Sequence, residues 1–194
     1  MPKTLYIIAG CNGAGKTTAS FTILPQILDC KEFVNADEIA RGLSPFQPEK
    51  VSFESGRIML KRINELLESH ETFAFETTLA TKSYKTKVFS AQSKQYTVSL
   101  LFFWLQSVDL AIERVKSRVL DGGHNVETPV IKRRFTNGIK NLFDIYFPIV
   151  NEIMIFDNSG GRPELIAEKN IESDLFILNK IKFDLLKKTY NEAI

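Results

Sequence analysis

Cysteine is nearly missing from this chain of 194 residues: Cys11 and Cys30 are the only two. Two cysteines build no disulfide framework, and their spacing matches no metal site, so reduced thiols of a cytoplasmic protein are expected. An excess of charge of one sign is missing too. The 25 Lys and Arg residues face 23 Asp and Glu residues, for a net charge of +2, which leaves no electrostatic case for a polyanion such as DNA. No apolar run is long enough to span a bilayer, and the one after Met1-Pro2-Lys3 is too short for the core of a signal peptide. Internal repeats, low-complexity tracts and Pro/Gly-rich linkers are also absent, so a single domain over residues 1–194 is expected. What is present is a globular balance of 44% hydrophobic and 25% charged residues, in a chain long enough to bury a sizeable core.

Apolar runs alternate with amphipathic stretches. Strands are predicted at Thr4 to Ala9, Lys31 to Asn35, Thr72 to Phe75, Val98 to Leu105 and Ile153 to Phe156. Helical segments are predicted from Lys16 toward Leu28, onward from Pro48-Glu49, about Lys82 to Lys94, Asp109 to Val119 and Pro129 to Phe147. The tail after Arg162 should add an edge strand and a terminal helix. The run Val98 to Leu105 is apolar but for Ser99, as suits a parallel strand covered on both faces. This alternation predicts an α/β fold of three layers, a mainly parallel sheet with helices on both faces, and a ligand site at the carboxyl ends of the strands.

At the end of the first strand, Gly10-Cys11-Asn12-Gly13-Ala14-Gly15-Lys16-Thr17 fits G-x-x-x-x-G-K-[ST]. Glycines there let backbone N–H groups turn inward around phosphate oxygens, and the following helix adds its positive end. The pattern predicts a site for ATP or GTP formed by Gly10, Asn12, Gly13, Ala14, Gly15, Lys16, Thr17 and Thr18. Lys16 would reach the β- and γ-phosphates, and the Thr17 hydroxyl would ligate Mg²⁺. Cys11 is read as a small residue that fits the loop, in preference to a redox-active thiol at a helix N-terminus.

A phosphate loop is shared by kinases, GTPases and motor ATPases. The guanine-reading N-K-x-D pattern does not occur, and the chain is short for a large ATPase module. A strand-end acid and arginines around a glycine-containing loop fit a small-molecule kinase with a lid over about residues 114–134. Asp37 is either the base for an attacking hydroxyl or the N-cap of a helix starting near Glu38. Glu76 ends an apolar strand, where a carboxylate must be paired, solvated or near a metal. Arg114, Arg118, Arg133 and Arg134 flank Gly122-Gly123-His124. Arg114 and Arg133 are read as members of solvated helix faces, His124 as a loop hydrogen-bonder, and His70 as a helix-end residue. Arg133 and Arg134 are neighbours about 100° apart on a helix, so one of them can point inward.

Four blocks, in order, resemble the zeta-toxin family of phosphate-loop kinases, from Ile7 to about Ala167. They are A-G-C-N-G-A-G-K-T-T, F-V-N-A-D-E-I-A-R-G-L-S-P, F-A-F-E-T-T-L-A, and R-V-x-x-R-V-x-x-G-G-H-x-V followed by R-R-F and D-N-S. The resemblance implies Asp37 as the base toward the substrate hydroxyl, with Glu76 and Thr78 contacting the substrate. It also implies Lys16, Arg118 and Arg134 as the charges that neutralise the transferring phosphoryl group. The acceptor it implies is a nucleotide-sugar, UDP-N-acetylglucosamine, and the partner an antitoxin protein. One departure stands out: these toxins commonly carry an arginine shortly after E-T-x-L, where this chain has Ala80 and Thr81, with Lys82 the nearest base. Competing readings are a phosphate-loop kinase or ATPase acting on a nucleoside or nucleic-acid end, and a nucleotide-dependent binding module.

Overall fold

The apolar runs become strands of one sheet in a computed structural model that describes residues 3–120, 122–123, 125–171 and 173–192. The strands are β1 (Thr4–Ala9), β2 (Glu32–Val34), β3 (Phe73–Thr77), β4 (Thr97–Trp104), β5 (Glu152–Asp157), β6 (Glu164–Lys169) and β7 (Phe176–Ile177). Their order across the sheet is β2-β3-β1-β4-β5-β6-β7. The first five run parallel, and β6 and β7 are antiparallel additions at one edge. In β4, seven of eight residues are buried, which is why that stretch reads as a mostly apolar sequence rather than as an alternating one.

The connections are α1 (Lys16–Gln26), α2 (Ala36–Leu43), α3 (Ser52–Glu68), α4 (Lys85–Ser93), α5 (Val108–Leu120), α6 (Thr128–Asn141) and α7 (Lys180–Glu192). A 3₁₀ turn at Pro48–Val51 leads into α3, and α6 runs on into a π-helical turn at Leu142–Tyr146. From β1 the chain steps outward to β2; from β3 it crosses β1 to reach β4. Crossovers between parallel strands are right-handed, so steps in opposite directions place their helices on opposite faces of the sheet. The reversal opens a crevice at the carboxyl end of β1, where ligands of such sheets bind.

The outcome differs from the sequence reading in four places. Glu76 lies within β3 rather than past its end, paired in register with Ile8 of β1. The N-cap of α2 is Asn35, whose Oδ1 accepts from the backbone N–H of Asp37 at 2.8 Å and of Glu38 at 3.4 Å. Asp37 is therefore a first-turn residue and no cap. The tail forms two strands where one was expected, and α4 begins at Lys85 rather than Lys82. Among the described residues no helix is long and apolar enough to cross a membrane.

Candidate active site

The loop between β1 and α1 is built on three glycines with positive φ: Gly10 at 144°, Gly13 at 79° and Gly15 at 76°. These are backbone conformations that side chains resist. At Gly10 a Cβ would also run into the carbonyl of Phe103 on β4, and at Gly15 into the side-chain amide of Asn158. The loop is thus wedged between its neighbours as well as curled. Burial pushes the Cys11 thiol up to about 11, even with Lys16 pulling it the other way. This supports the reading of a small residue that fits the loop.

Four side chains from three elements meet at the loop's end. The Lys16 ammonium, buried with only 6% of the residue exposed, donates to the Cys11 carbonyl at 3.0 Å and lies 3.4 Å from Glu76 Oε1. Thr17 donates its hydroxyl to Glu76 Oε2 at 2.8 Å, and Asn35 donates its side-chain amide to the same oxygen at 3.0 Å. Glu76 thereby connects β3 to the phosphate loop and to the start of α2, while Asn35 sets the direction in which Asp37 leaves. Both acidic segments are held at one end of the sheet by a single carboxylate.

Of the two neighbouring arginines on α6, Arg134 turns inward and Arg133 is exposed. Arg134 donates to Asn12 Oδ1 at 3.1 Å. Burial lowers its pKa, the Asp37 carboxylate opposes that shift, and the Arg133 charge adds to it. Asn12 is thus a direct partner of Arg134, and the Asp37 charge acts on the same guanidinium. Arg114 departs from its expected place on a solvated face: its guanidinium donates to the Ser159 carbonyl at 2.9 Å. Arg118 is half-buried on α5, and its carbonyl accepts from Gly123 N at 2.8 Å. Asp121 and His124 of the expected lid lie outside the described residues. Thr78, the substrate residue implied by resemblance, is half-buried just past β3; its carbonyl sits where a Cβ on Gly138 of α6 would come within 2.8 Å. Thr18 is exposed on the first turn of α1.

The sequence reading missed Asn35, Asn158 and Gln106 as parts of the site. Asn158 donates to the Ala14 carbonyl at 2.8 Å, and Gln106 donates to Asp157 Oδ2 at 3.0 Å. A signal for Asn35 existed, since asparagine before Ala-Asp-Glu is a helix-start pattern. Nothing local marks Gln106.

The donor set fits magnesium and a triphosphate. Thr17 and Glu76 offer two hard oxygens side by side, next to a buried ammonium. Among the described residues no group of three or more His, Cys, Asp or Glu could cage a metal. Mg²⁺ commonly takes one or two protein oxygens and completes its shell with phosphate and water.

Known proteins resemble this chain at low identity. The chain is 28% identical over 137 residues to an uncharacterized protein of Haemophilus influenzae, covering 70% of this chain and 94% of that one. AvrRxo1-ORF1, solved with AvrRxo1-ORF2 and ATP, superposes with a TM-score of 0.75 at 16% identity, over 97% of this chain and 64% of that one. This chain thus spans less than two thirds of that relative. The PezAT toxin–antitoxin system of Streptococcus pneumoniae gives a TM-score of 0.63 at 14% identity, over 99% of this chain and 87% of the other. At these identities the structures establish a common phosphate-loop kinase fold. The family described as Zeta toxin matches residues 2–162, from β1 through the phosphate loop to just beyond the Asp157–Ser159 turn, and the chain belongs to that family.

Proposed function

We propose that the protein is a single-domain phosphotransferase that moves the γ-phosphate of ATP or GTP onto a hydroxyl of a small substrate, with UDP-N-acetylglucosamine as the leading acceptor. The observation that carries this reading is the Glu76 carboxylate, joined at once to Lys16, Thr17 and Asn35. It brings the triphosphate end of the loop and the Asp37 segment to one point. A nucleotide-binding module would need the first of these and have no use for the second.

In this reading Asp37 accepts the proton of the acceptor hydroxyl as its oxygen bonds to the γ-phosphorus. The bond from that phosphorus to the bridging oxygen breaks, and the nucleoside diphosphate leaves. Lys16 and Arg134, with Arg118 from α5, offset charge on the transferring group. Thr17 and Glu76 would hold the Mg²⁺, which neutralises phosphate charge when bound. Glu76 and Thr78 line the acceptor side. The family supports an antitoxin as protein partner, as do relatives solved as a toxin–antitoxin system and as an ORF1–ORF2 pair.

The test is incubation with labelled ATP, Mg²⁺ and a panel of nucleotide-sugars, nucleosides and nucleic-acid ends. Label is expected on a sugar hydroxyl of UDP-N-acetylglucosamine. Label on RNA or DNA ends with none on any sugar would sink the acceptor assignment. ATP bound but intact with every acceptor would sink the kinase.

A further inference from the structure

We propose that Lys182, on α7, is a positioning residue for the phosphate loop, acting through the turn Asp157-Asn158-Ser159. The inference rests on the nucleotide reading of that loop, yet it concerns a residue beyond the 2–162 stretch shared with the family.

The contacts run as a chain from the terminal helix inward. Lys182 Nζ is 2.7 Å from Asp157 Oδ2 and 2.7 Å from Glu164 Oε2. The two carboxylates differ greatly in setting: the Asp157 side chain is 1% exposed and that of Glu164 is 48%. A buried carboxylate without a counter-charge is costly, whereas a rim ion pair contributes little. The Lys182–Asp157 contact is therefore the consequential one.

Asp157 spends its remaining acceptor capacity on the two loops that border the phosphate loop. It accepts from Gln106 Nε2 at 3.0 Å, from the Ser159 N–H at 2.9 Å and from the Ser159 hydroxyl at 2.5 Å. Ser159 Oγ in turn accepts from Gln106 N at 2.9 Å. The turn so fixed reaches the loop directly through Asn158, and it also braces Arg114 of α5, which lies beside Gly13. Asn158 donates to the Ala14 carbonyl at 2.8 Å and its amide lies against Gly15. The Ser159 carbonyl accepts from Arg114 at 2.9 Å, and Arg114 Cβ would be 3.3 Å from a Cβ at Gly13. Two loop positions, Ala14 and Gly15, thus lean on the turn directly, Gly13 faces the Arg114 that the turn braces, and the turn leans on a charge from α7. Burial raises the Asp157 pKa, but the hydrogen bonds from Lys182, Ser159 and Gln106 overcome this and hold it below its ordinary value.

Hydrogen exchange of the nucleotide-free protein tests the link without requiring any ligand. In Lys182→Met the amides of residues 10–17 should exchange about threefold faster or more than in the wild type. Glu164→Gln, which breaks only the exposed contact, should leave them unchanged, and Lys182→Arg should restore protection. Asp157→Asn attacks the same link from its other end and is read in place of Lys182→Met if that variant does not fold. A titration with MgATP beside it should show affinity weakened about tenfold in Lys182→Met and unchanged in Glu164→Gln. Acceleration confined to β5, β6 and α7, with residues 10–17 exchanging as in the wild type, would overturn the inference. So would equal losses in Glu164→Gln and Lys182→Met. If the wild type binds no ATP, the nucleotide reading falls, and the exchange pattern still decides the link.

Discussion

At the residue scale, the proposed binding and reacting groups differ in burial. Lys16 is buried against the loop and Glu76, so Lys16→Ala removes a charge-assisted contact and should weaken ATP binding by about 1.5–3 kcal/mol, as measured by calorimetric titration. Asp37 is exposed on the first turn of α2, and its charge acts on Arg134. Asp37→Asn should therefore leave ATP affinity unchanged and lower the transfer rate by about 10²- to 10⁴-fold; full transfer would show that Asp37 is not the base. The thiols make a prediction of another kind. Burial raises both Cys11 and Cys30 to about 11, whereas unfolded thiols ionise near 8.5–9. Between about pH 9 and 11 the unfolded chain releases protons that the folded chain retains. The free energy of unfolding should fall as pH rises through that window, and Cys11→Ala should flatten the slope in urea titrations.

Among the elements, α6 links the phosphate loop to the segment that follows β3. Arg134, Gly138 and Asn141 lie on one face at helical spacing. Arg134 reaches Asn12 of the phosphate loop, Gly138 packs on the Thr78 carbonyl, and Asn141 donates to the Leu79 carbonyl at 2.8 Å. Just beyond, Tyr146 donates to the Thr81 carbonyl at 3.0 Å. The segment they hold includes Leu79, fully buried with φ at 59°, a conformation that costs a leucine energy unless its surroundings enforce it. Gly138→Ala places a methyl group 2.8 Å from the Thr78 oxygen, so helix and segment must separate. We expect a stability loss of about 1–3 kcal/mol by urea unfolding. Phosphoryl transfer should fall while ATP affinity holds. Loss of ATP binding instead would place the effect on the donor side.

For the whole molecule, ligand linkage is the direct check on the loop. ATP with Mg²⁺ at about 100 times its Kd should add about 2.7 kcal/mol to stability, raising the melting temperature by roughly 5–10 °C for a chain of this size. Lys16→Ala should abolish most of that shift. Much of the fold is legible in the amino-acid sequence. The apolar run Val98 to Leu105 marked a doubly covered strand, and Gly10 to Thr17 marked the phosphate site, because buried strands and left-handed turns restrict residue type locally. The sequence by itself determined the layered α/β order, the donor loop and the candidate acids Asp37 and Glu76. Only the tertiary structure decided that Asn35 caps α2, that Arg134 rather than Arg133 faces the loop, and that Glu76 ties Lys16, Thr17 and Asn35 together. It also decided that Lys182, 166 positions beyond Lys16 in the chain, meets the buried Asp157 carboxylate. The physical reason is common to all of these. A side chain's type limits what it can do, but its partner is chosen by strand order and register, which bring together residues that no local pattern connects.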